Sequence, residues 1–205
     1  MYGDELIEFY RPDDIVIAVM GISGCGKSTF VNLFSDYLLA VGHSLNSCTE
    51  IIQVVPCTLR SGKKIYLVDT PGFDDIYRSD ADILREIANW LNTAHESRIK
   101  LTGIIYLHRI FDVRFGGGGI KNIRMFKKLC GENGPASVVL AITMWDFVPE
   151  EVKNSRKSEI QQQSVYWKQM MDHGSKVFSQ DEGRTSAMRI IQYLISRQQP
   201  VVPNI

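Results

Sequence analysis

The chain has 205 residues, 44% of them apolar and 22% charged, with 23 basic side chains balanced by 23 acidic ones. That length suits one domain with a single sizeable core. A net charge of zero argues against a general nucleic-acid binder, so a polyphosphate would have to be held by a local site and not by a global field.

The opening MYGDELIEFYRPDD carries acids before any apolar run and does not read as a signal peptide. No apolar stretch approaches ~18 residues, so the sequence indicates no membrane span. Cys25, Cys48, Cys57 and Cys130 form no C-x-x-C pair and have no zinc-type histidine spacing. They are expected to be reduced thiols of an intracellular, cytoplasmic protein.

Ile15 to Met20 (IVIAVM) is an unbroken apolar run, as a strand buried on both faces requires. From Phe30 to Leu39, helical spacing puts Phe30, Leu33, Phe34, Tyr37 and Leu38 on one face. Residues 43–50 (HSLNSCTE) have no period and read as a loop. IIQVVPCTL (51–59) is a strand that Pro56 confines to a sheet edge or a bulge. Ser61-Gly62 then turns the chain into KKIYLVD (63–69). Ala81–Ala94 is amphipathic. TGIIYLH (102–108) and SVVLAIT (137–143) are further buried strands, with a helix expected over Ile120–Leu129 between them. A long polar helix is expected over 150–172, with Trp167, Met170 and Met171 as core contacts near its end. KVFS (176–179) reads as a short strand, followed by a helix capped by Thr185 and reaching Ile195. The alternation predicts an α/β fold: a mainly parallel central sheet with one antiparallel edge strand and helices on both faces. Residues 1–198 read as one domain and 199–205 as a tail or linker, because two prolines there stop a helix.

G21-I-S-G-C-G-K-S28 fits G-x-x-x-x-G-K-[ST] in full, between a buried strand and a helix. Backbone N–H groups of Gly21, Ser23, Gly24, Cys25, Gly26, Lys27, Ser28 and Thr29 would cradle phosphates, making this a P-loop NTPase. Lys27 would reach the β and γ oxygens, and Ser28 would hold Mg2+. D69-T-P-G72 ends a strand. Asp69 is placed to hold Mg2+, and the Gly72 N–H to sense a γ-phosphate. A switch loop needs one more hydroxyl on the metal. Thr49 is the choice, with Ser44, Ser47 and Thr58 as competitors. T143-M-W-D146 ends another buried strand. The Asp146 carboxylate can accept from guanine N1–H and the exocyclic amine, which adenine does not offer at that edge. Met144 can cover the base through its thioether.

These stretches resemble the Ras-like GTPase superfamily: GISGCGKS, a switch threonine, DTPG and TMWD stand in the family's order. Over about Ile15 to Ile195 the chain is similar to the septin, Toc and immunity-associated (GIMAP-like) group, and to fungal proteins made of one G domain. The resemblance implies GTP and GDP as ligands with Mg2+. It also implies a fifth, base-touching motif after KVFS, where Ser179 stands nearest and no S-A-K occurs. It further implies catalysis completed when two G domains pack face to face across their nucleotides.

Phe73 stands where many GTPases carry a polar residue that orients the attacking water, and phenylalanine cannot do so. Ser23 is a candidate substitute within the loop. After TGIIYLH, Arg109 and Arg114 are candidate arginine fingers for a partner protomer, and His108 a candidate to orient water. The glycine run 115–119 permits close approach. The leading expectation is a switch that hydrolyses GTP slowly until it dimerises or meets an unidentified effector. The alternative is a non-hydrolysing, nucleotide-dependent scaffold. A nucleotide kinase is disfavoured by DTPG and TMWD.

Overall fold

The computed structural model describes residues 14–35, 39, 51–59, 61–75, 77–96, 101–112, 134–163 and 165–197. Six strands form one sheet: β1 (Ile15–Gly21), β2 (Gln53–Thr58), β3 (Lys64–Asp69), β4 (Leu101–Arg109), β5 (Val138–Thr143) and β6 (Lys176–Ser179). Their order is β2-β3-β1-β4-β5-β6. Every pair is parallel except β2 with β3. The predicted antiparallel edge strand is therefore β2, where exposed Pro56 removes a donor that a central strand would need. Gly62, at φ 78°, makes the hairpin turn and donates to the Leu59 carbonyl at 2.8 Å.

β1 and β5 are buried along their whole length, as their unbroken apolar runs demand. The helices are α1 (Lys27–Asn32), α2 (Asp80–Glu96), α3 (Glu150–Gln163), α4 (Val165–Asp172) and α5 (Arg184–Arg197). One face of the sheet packs Val16, Ala18, Tyr106 and Leu140 with α2 (Ile83, Ile87, Leu91) and α4 (Trp167, Met170). The other packs Ile17, Val19, Leu107 and Ala141 with α1 (Phe30, Val31) and α5 (Ala187, Ile190, Leu194). Trp167 and Met170 are core residues, as expected, while Met171 is partly buried. Cys25 and Cys57 are buried thiols, and neither is in a disulfide. Among the described residues, no helix is long and apolar enough to cross a membrane.

Two element boundaries differ from expectation, those of the first and last helices. α1 begins at Lys27 and stops at Asn32 instead of running from 30 to 39. Past it, Phe34 stays buried beneath the Arg184 guanidinium, Ser35 pairs with Cys57 of β2, and the Asn32 amide bonds both backbone groups of Leu39. The polar helix is described as two segments on either side of residue 164. Thr185 lies inside α5 and is not its cap. Ser186 holds the entry instead, accepting from the Glu182 N–H at 3.1 Å in the manner of a capping box. The helix expected over 120–129, the loop 43–50, the glycine run, Cys48, Cys130 and the tail 199–205 lie outside the described residues.

Candidate functional site

β1, β3, β4 and β5 are neighbours or near neighbours and run parallel, so their C-terminal ends open at one edge of the sheet. Ligands of open α/β sheets bind at that edge. The phosphate loop leaves β1 at Gly21. Gly21, Gly24 and Gly26 have φ of 144°, 73° and 95°, a run that residues with a Cβ rarely adopt. Gly21 is also confined: an added Cβ would lie 2.5 Å from the Leu107 carbonyl oxygen and 2.7 Å from Cys25 Sγ. Cys25 is fully buried, and burial pushes its thiol pKa up, so it offers the loop a backbone and a packing group. Thr29 is exposed at the start of α1.

Lys27 is buried, and its Nζ donates to the Ile22 carbonyl at 3.0 Å, which arches the loop over the ammonium. Ser28 Oγ donates to Asp69 Oδ2 at 2.6 Å, joining α1 to the end of β3. A hydroxyl and a carboxylate at that distance are hard oxygen donors and fit Mg2+, which takes one or two protein oxygens and fills its other positions with water and phosphate. Among the described residues, no group of three or more His, Cys, Asp or Glu could hold a metal unaided.

The DTPGF segment is sewn to the phosphate loop. Ser23 N–H donates to the Phe73 carbonyl at 2.6 Å, Phe73 N–H donates to the Gly21 carbonyl at 3.2 Å, and Ile22 and Phe73 form a parallel bridge. Gly72 makes this possible: a Cβ there would sit 2.6 Å from Ser23 Cα and 2.7 Å from Lys27 Nζ. Thr70 Oγ1 donates to the Val19 carbonyl at 2.9 Å and fixes the strand end. The Phe73 side chain is fully buried, in the cluster that holds Ile83 and Ile87 of α2. It anchors the DTPG segment in the core and does not face the open edge.

At the other end of the edge, Thr143 Oγ1 lies 3.1 Å from the Cys25 carbonyl oxygen and 3.3 Å from that of His108. One hydroxyl thus ties the TMWD strand to the phosphate loop. Met144 takes the left-handed conformation (φ 61°, ψ 39°), unusual for a residue with a side chain. The reversal sends Trp145 into the core, where its Nε1 donates to the Ile142 carbonyl at 2.7 Å, and leaves Asp146 and Phe147 facing out. Gln180 N–H donates to the Ile142 carbonyl at 2.7 Å. Beyond it the loop closes on itself through Gln180 Nε2 to Gly183 O (2.8 Å) and Ser186 Oγ to Gln180 Oε1 (2.9 Å).

Ser23, Gly72, Lys27, Ser28, Asp69, Thr143 and Asp146 therefore share one edge. Thr49 and Arg114 lie outside the described residues. One expectation is corrected. His108 does not reach the nucleotide edge. It points into the core, 4% exposed, with its ring edge-on to Trp167 at 5.2 Å, so it cannot orient a water. Burial drops its pKa to about 4. Ser179 Oγ accepts from Lys157 Nζ of α3 at 3.1 Å, and Lys157 also lies 6.0 Å from the Trp145 ring centroid. Lys157 and Ser186 were missed because a lysine in a polar helix and a serine at a helix start look ordinary in a sequence. Arg109 is held by Asp112 at 2.6 Å.

A loop that arches over a lysine at the end of a buried parallel strand, with a serine and a strand-end aspartate in contact beneath it, defines a P-loop nucleotide-binding domain. The model of the 50S ribosome-binding GTPase family matches residues 16–143, and the chain belongs to that family, as a GTP-binding G domain. No curated relative matches it in sequence. Among solved structures, it is similar to Toc33 from Arabidopsis thaliana in complex with GDP and Mg2+. That match has TM-score 0.71 and 16% identity, covering 98% of this chain and 91% of the other. A dimerisation-deficient mutant of the same protein matches at TM-score 0.72 and 17% identity over 94% and 88% of the chains. Era from Aquifex aeolicus, bound to GDP and AlF4-, matches at 0.62 and 15% over 91% and 57%.

Two outcomes follow from the buried groups. Phe73→Gln places an amide in an apolar pocket, so denaturant unfolding should show a loss of about 3 kcal/mol or more, with no gain in GTP turnover. Wild-type stability together with faster turnover would mean that position 73 faces the water. His108 has a folded pKa of about 4 against an ordinary 6.5. The unfolded chain then binds the extra proton first as pH falls. The contribution is complete above pH 6.5 and is lost progressively towards pH 4, by up to about 3 kcal/mol. His108→Leu should flatten that part of the pH–stability curve; an unchanged slope would contradict the burial.

Proposed function

We propose that the chain is a guanine-nucleotide switch, one G domain over residues 1–198 with a tail at 199–205. It binds GTP or GDP with Mg2+ and hydrolyses GTP slowly until a second G domain or another partner completes the site. The observation that carries this reading is the Ser28–Asp69 contact at 2.6 Å beside buried Lys27 and the Gly72 backbone. It brings together a metal pair, a phosphate cation and a γ-phosphate sensor. Backbone N–H groups from Gly21 to Thr29 hold the phosphates. Ser28 and Asp69 hold Mg2+, joined by Thr49 when the γ-phosphate is present. Phosphoryl transfer asks for positioning and charge neutralisation more than covalent help, and this set supplies both. Asp146 reads the guanine edge, with the backbone after Ser179 closing the base end.

Phe73 leaves water positioning to another group. Ser23 borders the γ-phosphate position within the chain. Arg114 is the candidate to act across a dimer. Dimerisation is important for the GTPase activity of Toc33, a chloroplast translocon component whose fold this chain shares. The buried anchor also favours a second reading, a G domain that binds nucleotide without turnover and serves as a scaffold.

GTP turnover per protomer, measured over a wide range of protein concentrations, separates these. A specific activity that rises with concentration is expected, and Lys27→Ala should abolish it. A flat, measurable rate would place water positioning within one chain. Binding with no turnover at any concentration would leave the scaffold.

A further inference from the structure

Four large apolar side chains are exposed among the described residues: Ile51, Tyr77, Phe111 and Phe147. Two of them meet. The Phe111 and Phe147 rings lie 6.0 Å apart at 59°, although Phe147 is 73% exposed. The Arg109 guanidinium carbon sits 5.2 Å from the Phe111 ring centroid. Arg109 Nε is anchored to Asp112 Oδ2 at 2.6 Å. The three side chains form one cluster, Phe147–Phe111–Arg109.

Its position ties it to the nucleotide edge. Arg109 is the last residue of β4, and its Nη1 lies 3.7 Å from where a Cβ on Gly24 would stand. Phe147 follows Asp146 directly. The Ile110 N–H donates to the Thr143 carbonyl at 3.0 Å, so the turns carrying Arg109 and Asp146 are pinned together. The cluster therefore spans the interval between the phosphate loop and the carboxylate that reads the base. A guanidinium has two planar faces. With Phe111 beside it, the guanidinium is placed to meet a second π system as well. Its charge is already answered by Asp112, whose carboxylate would repel a phosphate brought close. The pair is thus suited to a neutral aromatic ring more than to a polyphosphate.

We propose that Arg109 is the base-stacking residue of this chain. The purine of the nucleotide whose phosphates lie on residues 21–29 would rest on the guanidinium face, with Phe111 and Phe147 clustered beside the arginine. This shares the base-covering task with Met144, and it places Arg109 in service of its own protomer's nucleotide. The inference rests on the guanine-nucleotide reading above.

The test is equilibrium binding of Mg2+·GDP and of Mg2+·pyrophosphate to the full chain, at dilutions where sedimentation shows monomer. Arg109→Ala should weaken GDP about tenfold, the scale of one lost stacking partner, and change pyrophosphate less than about twofold. Phe147→Ala, at an exposed site that does not threaten folding, should weaken GDP about threefold by loosening the cluster. Equal losses for GDP and pyrophosphate would make Arg109 a phosphate cation and overturn the proposal. Unchanged GDP affinity would overturn it too, including the case where only concentration-dependent turnover is lost and the arginine acts across a dimer. Wild-type protein that binds no GDP would instead overturn the nucleotide reading itself, and this inference with it.

Discussion

The Ser23 N–H donates to the Phe73 carbonyl, the Phe73 N–H donates back to the Gly21 carbonyl, and Gly72 lies so close to Ser23 that no side chain fits between. This seam joins the phosphate loop to the second switch. Around it, the Lys27 ammonium is buried against the Ile22 carbonyl and Ser28 meets Asp69. Loss of the seam would separate the Lys27 ammonium from the Gly72 backbone. It would also withdraw Phe73 from the core it shares with α2, so the switch and the packing of that helix are one structure. Under the proposed function, a bound γ-phosphate would act on a segment already tied to the core, and moving it would carry an energetic cost that differential ligand contacts must meet.

The base end is built with the same economy. Thr143 reaches the Cys25 carbonyl, Ile110 bonds Thr143, and Met144 adopts a left-handed turn that buries Trp145 and turns Asp146 outward. A non-glycine residue in that conformation carries strain of order 1–2 kcal/mol. The burial of Trp145 and its 2.7 Å hydrogen bond offset it. The same turn leaves the Asp146 carboxylate exposed at the nucleotide edge, where the proposed function uses it.

Much of this was legible in the sequence. Unbroken apolar runs marked the buried parallel strands, Pro56 marked the edge, and the glycine spacing of 21–26 marked a loop whose φ values a Cβ resists. Those signals are local, so a sequence carries them openly. Phe73 raised a question the sequence could pose but not answer, since burial against Ile83 and Ile87 depends on how α2 docks. His108 misled for the same reason. A histidine at the end of a strand beside a phosphate loop looks catalytic until alternation along β4 turns it towards Trp167. The short α1 was hidden because it depends on a partner far along the chain, Arg184 over Phe34, and the role of Ser186 because it depends on how the loop from Gln180 folds back on it.

The central claim is that this edge binds a guanine nucleotide through the phosphate loop and Asp146. Competition of Mg2+·GDP against Mg2+·ADP for the wild-type protein and for Lys27→Ala tests it most directly. The account predicts at least about a hundredfold preference for GDP in the wild type, since adenine leaves the carboxylate unpaired, and loss of both ligands in the variant. Equal or tighter binding of ADP, or undiminished binding by Lys27→Ala, would contradict it.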